Sequence, residues 1–343
     1  MKNLPARTGE GTAANSRKLW IDGLRAFAML LVIVGHQEKI DVLYYLLNPV
    51  KVPLFFMVSG YVFNDKRTSV TEFIRKIMTG IVVPWMFMAV VSLLCYAPFN
   101  GGLKYFLNAF KNTLLGVSFW YIPCCIASMV LWFFTRKFFR KTAYTCIAAV
   151  VCFAAGLAAA HYQVLDEFMI NRALICQLYM LLGFLFRKNE ERISRIKWPY
   201  VAGCVVAYLA AAVLGMLVTP RPFIDVHLNI YDNMPYSFAL IVLGGFALFA
   251  VAPRIRYIPK FLVFIGQNTL TFYMMHTFYI RLFHIVMKKA IGIDLSDSAY
   301  LLVINTVVAV LACTIQVLIL DRIAPELLGK KRSSGKRRIE KAS

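Results

Sequence analysis

The chain has 343 residues, 60% of them hydrophobic, and a mean hydropathy of +0.65. These values exclude an ordinary soluble globular domain and mark a polytopic membrane protein. A net charge of +21 would direct a soluble chain to nucleic acid, but the basic residues gather in alternate loops, the pattern of membrane topology, so no nucleic-acid partner is expected.

Apolar runs long enough to cross a bilayer predict ten spans, at 20–37, 46–63, 74–96, 118–135, 143–160, 170–186, 198–218, 234–252, 261–280 and 299–320. The expected fold is therefore an all-α helical membrane bundle. With both termini cytoplasmic, the inner segments hold 28 of the 38 Lys and Arg residues, the outer ones 9, and Arg25 lies within the first span. The chain divides into a cytoplasmic N-terminal segment (1–18), a transmembrane domain (19–321) and a basic cytoplasmic tail (322–343). No cleavable signal peptide is expected, because the first nineteen residues are polar and basic, so the first span directs insertion. The run KKRSSGKRR in the tail suits the anionic inner leaflet, or a solvated stop signal. Eight cysteines fall almost entirely in apolar segments, without the Cys-x-x-Cys spacing of a zinc site, and read as packing residues; no metal is expected.

The first span, WIDGLRAFAMLLVIVGHQ, carries Asp22, Arg25 and His36. Charged and titratable groups at membrane depth are costly unless paired or facing a wet cavity. Arg25 and His36 are eleven positions apart, about three turns plus 20°, so they share a helix face roughly 16 Å apart along the axis. Asp22 is three residues before Arg25, where it can hold the guanidinium or anchor the helix end.

In the second span, PVKVPLFFMVSGYVF, Pro49 and Pro53 interrupt a regular helix, which is tolerated at membrane depth mainly beside protein or a cavity. Ser59 and Gly60 fit close helix packing or a site edge. The following basic stretch, with Lys66, Arg67, Arg75 and Lys76, reads as a phosphate-binding patch or as topology alone. Pro84 kinks the third span. The fourth opens with Phe119-Trp120-Tyr121, an aromatic belt or rings that stack on sugar.

The outer loop from Thr219 holds Arg221, Asp225, His227, Tyr231, Asp232 and Asn233. It suits a polyhydroxylated acceptor or an ordinary solvated loop. In the ninth span Thr269, Tyr273 and His276 share a face. His276 lies about 22 Å from the inner end and His36 about 24 Å, so the two imidazoles reach similar depth.

Asp22-Gly23-Leu24-Arg25-Ala26 with His36 beyond, Leu54 to Tyr61, Phe119-Trp120-Tyr121, and Ile265 to Thr269 leading to Tyr273 and His276 resemble the acyltransferase-3 family of membrane O-acyltransferases. The bacterial fucose 4-O-acetylase-like branch is the nearest pattern. The resemblance covers about Lys18 to Asp321. It implies a multi-pass protein of the bacterial plasma membrane that moves an acetyl or similar group from cytoplasmic acyl-coenzyme A to a carbohydrate hydroxyl, on an exopolysaccharide, cell-wall glycan or lipid-linked sugar. Acetyl-coenzyme A enters as donor substrate, with no bound cofactor; the other partners implied are the acceptor and membrane lipid. Arg25 and His36 match the family's functional Arg and His. The chain departs from the Arg-x-x-Arg signature many members carry after the second span: Arg75 and Lys76 are followed by Met78 and Thr79.

On this reading His36 is general base or transient acyl carrier. Arg25 binds the donor and assists catalysis, Arg75 and Lys76 gather the nucleotide, and Asp22, Ser59, Tyr273 and His276 support the site. Trp120, Tyr121, Asp225 and His227 meet the acceptor. The rival reading is an exporter of a glycan or small metabolite. Transporters commonly pair broken helices in their two halves, and no counterpart of Pro49 and Pro53 is expected in the second half.

Overall fold

A computed structural model describes residues 18–36, 41–63, 69–220, 223–292 and 301–330. Lys66, Arg67, Arg221 and the KKRSSGKRR run apart from Lys330 lie outside the described residues. Among the described residues fifteen α-helices follow one another: α1 (Leu19–Gly35), α2 (Asp41–Lys51), α3 (Pro53–Val62), α4 (Val70–Ile77), α5 (Val83–Tyr96), α6 (Gly102–Leu114), α7 (Tyr121–Phe138), α8 (Thr142–His161), α9 (Ile170–Lys188), α10 (Glu190–Ser194), α11 (Trp198–Val218), α12 (Met234–Val251), α13 (Lys260–Gln267), α14 (Thr269–Ile291) and α15 (Leu301–Ile323). One antiparallel hairpin, β1 (Ile224–Asp225) with β2 (Ile230–Tyr231), interrupts the series.

Among the described residues seven helical runs are long and apolar enough to cross a membrane: Asp41–Val62, Val70–Tyr96, Thr142–His161, Glu167–Lys188, Trp198–Val218, Met234–Arg254 and Leu301–Ile323. They coincide with seven of the ten expected spans. The other three fall on helices that are shorter or more polar. α1 has 17 residues and contains Asp22 and Arg25, α7 ends in Arg136 and Lys137, and the ninth span is divided between α13 and α14. The three expected spans 20–37, 118–135 and 261–280 hold Asp22, Arg25, His36, Trp120, Tyr121, Tyr273 and His276 of the candidate site.

α9 runs through the centre: 67% of its apolar window is buried, against 22% for α8, α11 and α15, which present apolar side chains outward. Its crossing with α3 is close because both helices contribute glycine. A Cβ on Gly60 would collide with the backbone of Met180, and one on Gly183 with the backbone of Met57. Small residues at helix contacts let backbones approach where no hydrophobic force separates protein from lipid. Gly60 is thus a packing residue, whereas its neighbour Ser59 donates its hydroxyl to the Phe55 carbonyl, 2.9 Å away, and lines the central cavity.

Both broken spans have a local cause. Pro53 starts α3 after the single non-helical residue Val52. Further along, a π-helical turn at Met78–Val82 precedes Pro84; proline has no N–H to donate and its ring crowds the preceding turn. The ninth span, expected as one helix, stops at Gln267 and restarts at Thr269. Asn268 closes the gap by donating from Nδ2 to the Phe264 carbonyl at 2.7 Å, and its own carbonyl accepts from Thr271 N–H at 3.0 Å. The second half therefore does contain a broken helix, correcting the expectation that Pro49 and Pro53 have no counterpart. The stretch Ala97–Val117, between the third and fourth expected spans, includes the helix α6, whose Leu103 and Leu107 face outward.

Replacing Gly183 with alanine is expected to cost about 1–3 kcal/mol or more by overpacking the α3–α9 crossing. Gly203→Ala, in α11 where nothing approaches within 4 Å, serves as control. Thermal unfolding in detergent should drop for Gly183→Ala alone.

Candidate active site

A single cavity of about 720 Å³ joins most of the residues singled out in the sequence. Arg25 lines it toward one end of α1 and His36 follows the other end of that helix, near His227, Trp120 and Asp225; Lys76 also lines the cavity. Ser59, Tyr121, Tyr273 and the stretch Gln267 to Thr271 form the wall between. Both helix breaks, at Val52 and Asn268, open onto it, so the irregular backbone borders a cavity rather than lipid.

The Arg25 end is built by α1 and α13. A Cβ on Gly266 would strike the backbone of Asp22, and this contact sets Gln267 beside the Asp22 carboxylate, to which it donates from Nε2 at 3.3 Å. Asp22 is buried and stands 3.9 Å from the Arg25 guanidinium. One carboxylate thus braces the arginine from behind while its head remains on the cavity. Lys76 lines the cavity and pairs with Glu72 at 2.9 Å, whereas Arg75 is exposed on α4 and does not line the cavity.

At the other end the His36 and His276 rings lie 5.1 Å apart. His276 is 1% exposed, and its Nδ1 lies 2.9 Å from the carbonyls of both Phe272 and Tyr273. Carbonyls only accept, so Nδ1 carries the hydrogen and Nε2 is left as an acceptor. That Nε2 is buried without a partner. Tyr273 accepts the Tyr121 backbone N–H on its hydroxyl at 3.4 Å, and the two rings pack at 5.0 Å.

The β-hairpin closes this end. Asp225 Oδ1 accepts the backbone N–H groups of His227 and Leu228 at 2.8 and 3.1 Å. Its carboxylate therefore shapes the turn that sets the His227 ring on Trp120, centroids 5.0 Å apart and stacked. Tyr44 and Asn48 of α2 bind the Ile224 carbonyl at 3.4 and 3.2 Å. Arg172 of α9 donates from Nε to the His227 carbonyl at 2.7 Å and pairs with Asp166.

The acyltransferase-3 family profile, an acyltransferase domain, matches residues 18–320. The chain belongs to the acyltransferase-3 family. No curated protein and no solved structure matches it. A membrane acyltransferase of this kind must bring donor and acceptor to one place, and the cavity is where its sequence-marked residues converge.

Sequence reasoning missed several groups of the acyltransferase site. Lys51 lines the cavity near His36, and the sequence reading assigns it no role. Its position between Pro49 and Pro53, a cation in an apolar run, was the available signal. Asn48, Gln267 and Arg172 reach partners 176, 245 and 55 residues away, pairings that no local pattern encodes, although Gln267 lies within the Ile265–Thr269 stretch that carries the resemblance.

His227 lies in the loop, and burial holds its imidazole below the ordinary value of 6.5, with nearby Asp225 opposing. It is therefore neutral at pH 7. Protonation works against burial and the unfolded chain takes the proton more readily, so the stabilisation is complete above pH 6.5 and is lost as pH falls below it. The melting temperature of the acyltransferase should decline on acidification below pH 6.5, and His227→Gln should flatten that decline.

Proposed function

We propose that this membrane acyltransferase transfers an acetyl or similar acyl group from cytoplasmic acyl-coenzyme A to a hydroxyl of a cell-surface or lipid-linked carbohydrate, as an O-acyltransferase of the fucose 4-O-acetylase-like kind. The observation that carries the reading is the continuity of one cavity from Arg25 and Lys76 to His36, Trp120 and His227. The charge count supports a cytoplasmic side for both termini and the Arg25 end, where the donor is made, and the fucose 4-O-acetylase-like resemblance supports a bacterial plasma membrane.

The coenzyme's phosphates bind Arg25 and Lys76, and its extended pantetheine arm carries the thioester toward His36. The acceptor hydroxyl loses its proton to His36, the histidine that faces the cavity. The alkoxide oxygen bonds to the thioester carbonyl carbon, the carbon–sulfur bond breaks, and coenzyme A leaves as the thiol after regaining that proton. His276, with Nδ1–H held by two backbone carbonyls, presents Nε2 as a fixed acceptor that orients His36 or the acceptor hydroxyl. Asp22 and Gln267 keep the Arg25 guanidinium in place, Tyr273 and Tyr121 hold the wall, and Ser59 supports it. Arg75, outside the cavity, reaches only a part of the donor that protrudes from it.

The two broken helices bordering the cavity favour one second reading, export through this path. Transfer from radiolabelled acetyl-coenzyme A to glycan by the purified protein in detergent separates the two, because transport needs a sealed membrane and acylation does not. Wild type is expected to label the glycan and His36→Ala to lose at least 100-fold in rate; full labelling by a folded His36→Ala protein removes the base assignment. Arg25→Ala should raise the KM for acetyl-coenzyme A roughly tenfold or more, and an unchanged KM removes Arg25 from donor binding.

A further inference from the structure

After α15, and past the residues that match the family profile, the chain turns back onto the cavity. Ala324 leaves helical geometry and Pro325–Leu328 make one tight turn of 3-10 helix. Proline suits the start of such a turn, where a backbone N–H would have no partner. The turn closes on itself: Leu327 N–H donates to the Ala324 carbonyl, Gly329 N–H to that of Glu326 and Lys330 N–H to that of Pro325, each at 3.0 Å. Lys330 Nζ then donates to Asp321 Oδ1 at 2.8 Å and clips the turn to the end of α15.

Gly329 seats this turn against the rest of the protein. Its φ of +71° lies in the left-handed region that favours glycine. A Cβ there would stand 3.0 Å from Gly80 Cα and 3.2 Å from the carbonyl oxygens of Thr79 and Gly80. Gly80 belongs to the π-helical turn Met78–Val82, four residues after Lys76. Leu327 and Leu328 pack on the buried cluster that includes Trp85 and Met88. Leu328 is half-buried and also lines the cavity, as do Ile77, Gly80, Ile81 and Pro84.

None of those five side chains can donate or accept a hydrogen bond, so this stretch of wall holds hydrocarbon rather than phosphate. Lys76, the phosphate partner in the reading above, lies one helical turn before Gly80 in the chain. A coenzyme whose phosphates reach Lys76 lays the next part of its length, the pantetheine arm with its two methyl groups, along this wall. We propose that the C-terminal turn is part of the donor site, with Leu328 packed against the methyl groups of the pantetheine arm and Gly329 seating the turn that presents it. This deepens the acyl-coenzyme A reading and rests on it. The turn makes and breaks no bond; its contribution is affinity for the donor.

Equilibrium dialysis of the full-length protein in detergent tests this with two labelled probes. One is coenzyme A; the other is adenosine 3′,5′-bisphosphate, which has nucleotide phosphates and no arm. Leu328→Ala should weaken coenzyme A binding roughly tenfold, the loss expected when most of an apolar side chain leaves a contact, and should leave binding of the bisphosphate unchanged. Leu328→Met should bind coenzyme A like wild type. Gly329→Ala, which strains the backbone and pushes the turn off Gly80, should repeat the Leu328→Ala pattern, and it takes the place of that variant should Leu328→Ala not fold. Unchanged coenzyme A binding by folded Leu328→Ala overturns the proposal. Equal loss for both probes also overturns it, since the turn would then only brace the phosphate end. If folded wild type does not bind coenzyme A, the acyl-coenzyme A reading itself falls, and this inference with it.

Discussion

The backbone-to-backbone contact between Gly266 and Asp22 is the constraint on which the site depends. Because residue 266 has no side chain, α13 approaches α1 until Gln267 reaches the Asp22 carboxylate. That approach fixes the Asn268 break against the cavity and sends α14 onward beside α1, so that His276 comes to rest 5.1 Å from His36. A methyl group at residue 266 would push α13 away and separate the arginine brace from the imidazole pair at the same time. The reciprocal glycines of α3 and α9 do the same for the opposite wall, drawing Ser59 and Met180 to the cavity.

Close contact of this kind also makes the broken helices affordable in a bilayer. A backbone group without a partner in hydrocarbon costs several kcal/mol, so Val52 and Asn268 are placed where the cavity, an asparagine side chain or a new helical turn takes up the freed groups. The same breaks bring polar side chains inward at intermediate depth, between a cationic end and a histidine end. Two broken helices facing one path is an arrangement that export also uses; membership of the acyltransferase-3 family assigns the chain to acyl transfer.

Much of the site was legible locally. Asp22, Arg25 and His36 lie on one helix, where a fixed rotation per residue decides which side chains share a face, and the structure has Arg25 and His36 on one cavity. The matching depths of His36 and His276 followed from helix rise in the same way. Asp225 was read as touching the acceptor; it lines the cavity, and its Oδ1 also caps its own turn, a local hydrogen-bonding habit of aspartate. Arg75 and Lys76 are adjacent in sequence, and helical rotation sends only Lys76 to the cavity.

By itself the sequence determined a helical membrane protein, the residues too polar for lipid and the family, because hydropathy and short-range spacing are properties of single segments. Only the tertiary structure decided that the ninth span is broken, that Asp22 meets Gln267, that Arg172 and Asn48 hold the hairpin over the cavity, and that Lys51 belongs beside His36. Each of those depends on contact between segments far apart in the chain, the meeting of Asp22 with Gln267 on the missing side chain at Gly266 and the seat of Lys51 on that at Gly35, and no periodicity within one segment encodes which neighbour will fill that space.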